Sequence, residues 1–148
     1  MRYLHRVFIG MTGAIGKMGP QSQLVTNRIG FQIGREIGME LVDRKLLSKG
    51  MTVTEVWAIL NEALEIDSDA QLEEREESGR PVMTIRIHSC NICPKKVGKY
   101  AIPGTACPVG GILKGVAATI GLMDFATYPD LVPGEVCSIS VPVKADAP

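Results

Sequence analysis

Between Arg28 and Leu41 two residue types repeat every four positions side by side: Ile29, Ile33, Ile37 and Leu41, and next to them Gly30, Gly34 and Gly38. The aliphatic repeat, with Arg28, Gln32, Arg35, Glu36 and Glu40 on the other side, predicts an amphipathic helix from Gln21 to about Lys45. The glycines constrain what that helix can join, because each costs roughly 1 kcal/mol relative to alanine in a helix interior. Something must offset them. Close approach of another helix or of a twofold mate does so; the alternative is a groove beside Ile33, Gly34 and Ile37 for a flat or chain-like apolar ligand.

The neighbouring elements give an α+β order. Tyr3 to Ile9 reads as a short strand, followed by a loop with glycines at 10, 13, 16 and 19. These lack the Gly-x-Gly-x-x-Gly spacing and the Gly-Lys-Ser/Thr ending of a phosphate loop, and read as packing or loop glycines. Thr52, three residues before Glu55, forms a capping box, with Met51 and Val56 as its hydrophobic staple. Val53, Val56, Trp57, Leu60 and Leu64 then share one helix face, which makes Trp57 a core residue. Acidic Leu72 to Glu77 reads as an edge strand turning at Ser78-Gly79. From Val82 the alternation of Met83, Ile85 and Ile87 with Thr84, Arg86 and His88 predicts a half-buried strand running into Cys90. A loop with Lys95, Lys96, Gly98, Lys99, Pro103 and Gly104 leads to Cys107. Pro108 suits a first helical position, opening a helix with Val109, Ile112, Leu113, Val116 and Ile120 inward and an end at Gly121. Strands at Leu122 to Tyr128 and Val136 to Val143, joined through Pro133-Gly134, complete the chain.

Four cysteines carry the chemistry: Cys90 and Cys93 as Cys-Asn-Ile-Cys, then Cys107 and Cys137. A CxxC with two further thiols suffices for one tetrahedral metal site. Here the thiols come from a strand end, a helix N-terminus that favours the Cys107 thiolate, and an inward strand face that Cys137 shares with Ile139 and Val141. Zinc is the default for four thiolates, closed and structural. An iron-sulfur cluster is a rival, although Lys96 stands where the usual third cysteine of a cluster run would be. Thiol-disulfide exchange through Cys90 and Cys93 is another, and it leaves Cys107 and Cys137 as ordinary buried thiols.

At 148 residues the chain fits one domain, able to bury ~70% of its unfolded surface. Sixteen basic and sixteen acidic residues leave no net charge, so the basic footprint of a nucleic-acid surface is missing. No window is long and apolar enough for a membrane span or a signal peptide, which points to the cytoplasm. There, persistent disulfides are rare. Paired catalytic carboxylates and a Ser-His arrangement are missing, arguing against an enzyme.

The stretch Cys107-Pro-Val-Gly-Gly-Ile-Leu-Lys-Gly115, opening a helix ahead of a late Cys137, resembles the 4-vinyl reductase family of hydrocarbon-binding domains. The resemblance implies an α/β fold shared with haem-based nitric oxide sensors and Golgi-tethering subunits, with small aromatic compounds bound beside zinc. It makes Cys107 and Cys137 look like the family's first and last metal ligands. The family's Glu-x-x-Cys departs here, because Asp124 to Glu135 holds no cysteine, so Cys90 and Cys93 would complete the set. The expectation is thus a single α+β domain over residues 1–148, with N-terminal helices on a small antiparallel sheet and a helix inserted between a CxxC-bearing strand and two C-terminal strands. It would be a homodimeric or sensory module binding an apolar small molecule along Ile33, Gly34, Ile37, Gly111 and Gly115, with zinc on Cys90, Cys93, Cys107 and Cys137. A redox protein of tetrapyrrole-related metabolism and a dimeric adaptor using the Gly30, Gly34 and Gly38 face are the alternatives.

Overall fold

A computed structural model describes residues 2–93, 106–123, 130–132 and 136–142. Its elements run α1 (Arg2–Gly16), α2 (Ser22–Asp43), α3 (Val53–Leu64), β1 (Gln71–Glu77), β2 (Arg80–Ile87), α4 (Val109–Thr119), β3 (Asp130–Val132) and β4 (Cys137–Pro142). The strands form one antiparallel sheet in the order β1-β2-β4-β3. The α+β class expected from the pattern is the one found, with α4 inserted between the CxxC segment and the last two strands.

The first element is a correction. Tyr3 to Ile9 lies in helix α1, and Gly10, Gly13 and Gly16 are inside that helix, not in a loop. A short apolar run does not separate strand from helix by its periodicity. Packing decides: Phe8, Ile9 and Thr12 fall on one buried helical face, and the Thr12 hydroxyl donates to the Phe8 carbonyl at 2.8 Å. The imidazole Nε2 of His5, also placed in a strand by its sequence, lies 2.8 Å from the Leu64 carbonyl oxygen and ties α1 to the end of α3.

Local signals elsewhere hold. Thr52 and Glu55 form both halves of the capping box at the start of α3, and Trp57 is buried in the core with Val56 and Leu60. Ser78 and Gly79 both take positive φ, 53° and 77°, as a two-residue primed hairpin turn requires. Helix α4 stops as expected: Gly121, at φ 72°, donates to the Ala118 carbonyl and Leu122 donates to that of Ala117, a Schellman ending. Its N-cap is Pro108, so the helix starts one residue later than the proline rule placed it. Of the strand expected over Leu122 to Tyr128, residues 122 and 123 belong to no strand and the rest lies outside the described residues; β3 begins at Asp130. The 94–105 loop and the Pro133-Gly134 turn also lie outside the described residues.

The core gathers Trp57 and Leu60 of α3, Ile85 and Ile87 of β2, Ile139 and Val141 of β4, and Ile112, Leu113 and Val116 of α4. In α2 the buried line is Ser22, Thr26, Gly30, Gly34, Gly38 and Leu41, while Ile33 and Ile37 are only half-buried at its side. The glycine face, not the isoleucine face, is thus the one α2 turns fully inward. It meets α4 backbone to backbone. A Cβ on Gly30 would stand 2.7 Å from the Pro108 carbonyl oxygen, one on Gly34 would run into that of Ile112, and one on Gly38 would stand 2.6 Å from the Thr119 side chain. From the other side, Gly111 faces the Asn27 carbonyl and Gly115 that of Phe31. Both sets ascend together, so α2 and α4 run parallel along the seam.

Candidate metal centre

Three separate segments place the four cysteines. Cys90 follows β2 in a loop stitched to the chain beyond α3. The backbone N-H groups of His88 and Ser89 donate to Asp67 Oδ2 at 2.7 and 3.1 Å, and that of Asn91 donates to the Ile66 carbonyl at 2.8 Å. The Asn91 amide adds a bond to the Glu65 carbonyl at 2.7 Å. Asp67 is itself fixed, its Oδ1 accepting from Asp69 N-H and its peptide bracketed by the Asn61 amide. Burial alone would raise the Asp67 carboxyl, but the bonds from Asp69, Ser89 and His88 together with the nearby His88 charge outweigh it, so its pKa is lowered.

Within the CxxC, Ile92 is buried and anchors the loop, Cys90 is buried, and Cys93 is half-buried with its N-H donating to the Cys90 carbonyl at 3.4 Å. Cys107 immediately precedes the N-cap of α4. Cys137 opens β4 opposite Ile87, the last residue of β2, so sheet pairing brings it beside the strand end from which the CxxC departs.

These placements converge. Burial pushes the Cys90 thiol up to about 12, with Cys107, then Cys93 and Cys137, adding to the rise through their charges. All four cysteines belong to or pack against the same core. Among the described residues, no three His, Cys, Asp or Glu side chains are gathered tightly enough to hold a metal ion as they stand. Coordination needs the thiols to draw inward. The His88 backbone serves Asp67, and its Nε2 is buried two residues before Cys90.

The residues expected to line an apolar pocket have another role. Gly34, Gly111 and Gly115 face backbone atoms across the α2–α4 seam, leaving a ligand no room beside them, and Ile33 and Ile37 pack against the core at its margin. The same contact occupies the face that a twofold mate would use. A cleft of about 500 Å³ opens instead at the end of α3, lined by Asn61, Glu62, Glu65, Asp67 and Asn91 among others. Most of its lining residues are polar, although the surface they turn to the cleft is mainly apolar. Among the described residues no helix is long and apolar enough to cross a membrane.

Three residues important to this arrangement escaped the sequence reading. Asp67 and Gln23 act through backbone groups 21 and 84 positions away, and no local pattern signals such bonds. Lys114, buried on α4 with its Nζ 5.6 Å from the Phe31 ring centroid, interrupts an apolar stripe only as a single letter.

The chain belongs to the MJ0207 family, whose model matches residues 17–143. It is 29% identical over 126 residues to the uncharacterized protein MJ0207 of Methanocaldococcus jannaschii, covering 85% of this chain and 78% of that protein. A shorter similarity, 52% identical over 29 residues, links it to the uncharacterized protein MJ1342 of the same organism, covering 20% of this chain and 25% of that one. No solved structure matches. This membership overturns the 4-vinyl reductase resemblance. Within the stretch on which the resemblance rested, Gly111 and Gly115 are spacers for the approach of α2.

Proposed function

We propose that the protein is a metal-stapled α+β module, with Cys90, Cys93, Cys107 and Cys137 as the ligands of one structural zinc ion. The observation that supports this reading is that Cys93, Cys107 and Cys137, carried by three separate segments, all pack against the core that buries Cys90. Ionising four thiols at the edge of a core is unfavourable without a cation, and a coordinated divalent ion offsets that penalty by holding them as thiolates. The donor set of four sulfurs suits zinc, and leaves no open position for catalysis. Burial and a raised pKa make Cys90 a poor nucleophile, which weighs against thiol-disulfide exchange at the CxxC. The reading includes no apolar pocket at the glycine seam.

Elemental analysis and absorbance of protein purified anaerobically without chelator test it, with Cys107→Ser alongside. About one zinc per chain, no visible band and loss of the metal in the variant are expected for a four-thiolate site. Iron with broad visible absorption would transfer the cluster to redox chemistry. Metal-free protein that also ignores added zinc would overturn the reading.

A further inference from the structure

The Cys107 peptide is held by a side chain from a distant helix. Gln23, in the first turn of α2, meets it at both ends. The Cys107 N-H donates to Gln23 Oε1 at 3.0 Å, and Gln23 Nε2 donates to the Cys107 carbonyl at 2.9 Å. The second Nε2 proton goes to Asn27 Oδ1 at 2.7 Å, one turn along the helix. The amide is thus used as one acceptor and two donors, and this network leaves a single orientation for it. The approach that makes the bracket reachable comes from the seam: a Cβ on Gly111 would stand 2.6 Å from the Asn27 carbonyl oxygen.

We propose that Gln23 is a positioning residue of the thiol centre, holding the Cys107 peptide so that its sulfur stays turned toward Cys90. The inference rests on the zinc reading above. The other ligands have their own supports, since the Asp67 and Asn91 bonds fix the CxxC loop and the β2–β4 pairing fixes Cys137. Cys107 lies between the 94–105 segment and the N-terminus of α4, and the described bonds that fix its peptide are those to Gln23. Outer partners of metal ligands act in this way, and removing one typically weakens metal binding 10- to 100-fold.

Two substitutions separate positioning from a plain contribution to helix stability. Gln23→Ala removes the bracket. Gln23→Glu keeps the size and the acceptor but cannot donate to the Cys107 carbonyl, while placing a negative charge at the start of α2, where the helix dipole favours it. Zinc affinity is measured by competition with 4-(2-pyridylazo)resorcinol, and site geometry by the thiolate charge-transfer and ligand-field bands of the cobalt-substituted protein. Gln32→Ala, in the same helix but paired only to Glu36 in the described bonds, is the control. Both Gln23 variants are expected to bind zinc roughly 10- to 100-fold more weakly with altered cobalt bands, at unchanged far-ultraviolet circular dichroism, while Gln32→Ala behaves as wild type. Wild-type affinity in Gln23→Ala, or weakening in Gln23→Ala restored by Gln23→Glu, overturns the positioning role and leaves the zinc reading standing. A wild-type protein that binds no zinc overturns both.

Discussion

Adding one methyl group to Gly34 should do more harm than its size implies. Its Cβ would enter the Ile112 carbonyl oxygen and stand 2.9 Å from that residue's Cα and carbonyl carbon. Carbon atoms rest at about 3.5–4.0 Å, so α2 and α4 must separate by at least roughly 0.6–1 Å, and further to clear the Ile112 oxygen, a gap that forfeits at least a quarter to a half of each dispersion contact opened. The neighbouring contacts at Gly30, Gly38, Gly111 and Gly115 open with it, because two helices in register move as rods. Overpacking of this kind costs about 1–3 kcal/mol, and the opening of adjacent contacts places Gly34→Ala toward the upper end. Against this, alanine gains about 1 kcal/mol in helix propensity. A net loss of about 2 kcal/mol is expected, a large fraction of the ~5–15 kcal/mol of an ordinary domain. Gly10→Ala on α1 provides the opposite sign, since nothing lies within 4 Å of its Cβ position, and a gain of about 0.5–1 kcal/mol should follow. Urea unfolding with reductant present, compared at a common slope, measures both. Equal or greater stability in Gly34→Ala would show that the helices do not meet backbone to backbone.

Asp67→Asn should destabilise by about 1–3 kcal/mol, because a buried carboxylate accepting three backbone N-H groups becomes an amide with one acceptor oxygen. Asp67 also supplies an acid dependence. Its folded pKa is lowered, so its contribution is complete above the unfolded value near 4 and is lost as pH falls toward and through the folded one. Urea midpoints from pH 7 to 2 should show this limb in wild type and a shallower one in Asp67→Asn. Thr52→Ala, which removes the capping-box hydroxyl of α3, should cost about 1 kcal/mol in the same assay. Cys137→Ser should abolish the response to a chelator: wild type purified with metal loses melting temperature on chelation, the variant does not, and equal responses would remove Cys137 from the ligand set.

What the sequence made legible was whatever depends on neighbours along the chain. The capping box at Thr52 and Glu55, the Ser78-Gly79 turn and the Gly121 ending are local devices, and all are present; the alternation of Met83, Ile85 and Ile87 found the strand, but Thr84, expected on its polar face, is buried too. The glycines of α2 correctly announced a close approach, but the partner, α4, is some 80 residues away and is marked by its own glycines only once both are in view. The strand reading of Tyr3 to Ile9 failed for a related reason. Its apolar letters suit a helix or a strand equally, and Phe8 packing on the core chose the helix. The cysteine placements at a strand end, before a helix and at a strand start were all legible. Their supports were not, because Asp67 and Gln23 each act through a pair of long-range hydrogen bonds to backbone, and backbone carries no sequence signature.

The seam and the thiol cluster belong to one arrangement. Gln23 and the α2 glycine line sit on one helix, and Cys107 and the facing glycines of α4 on the other, so α2 and α4 move Cys107 as a unit. Cys90 and Cys93 are carried by a second unit, in which Asp67, Asn61 and Asn91 lock the CxxC loop to α3 and to the end of β2, and Cys137 joins it through β4. The cluster lies where these two units meet. A metal there would add little inside either unit, each of which has its own hydrogen bonds and packing. It would act on their relative placement, which otherwise depends on apolar contact of Ile112, Leu113 and Val116 with the sheet and α3. Such contact is non-directional and tolerates sliding, whereas four thiolates on one tetrahedral ion do not. The place for a staple is where packing alone fixes geometry least, and the four cysteines stand at that join.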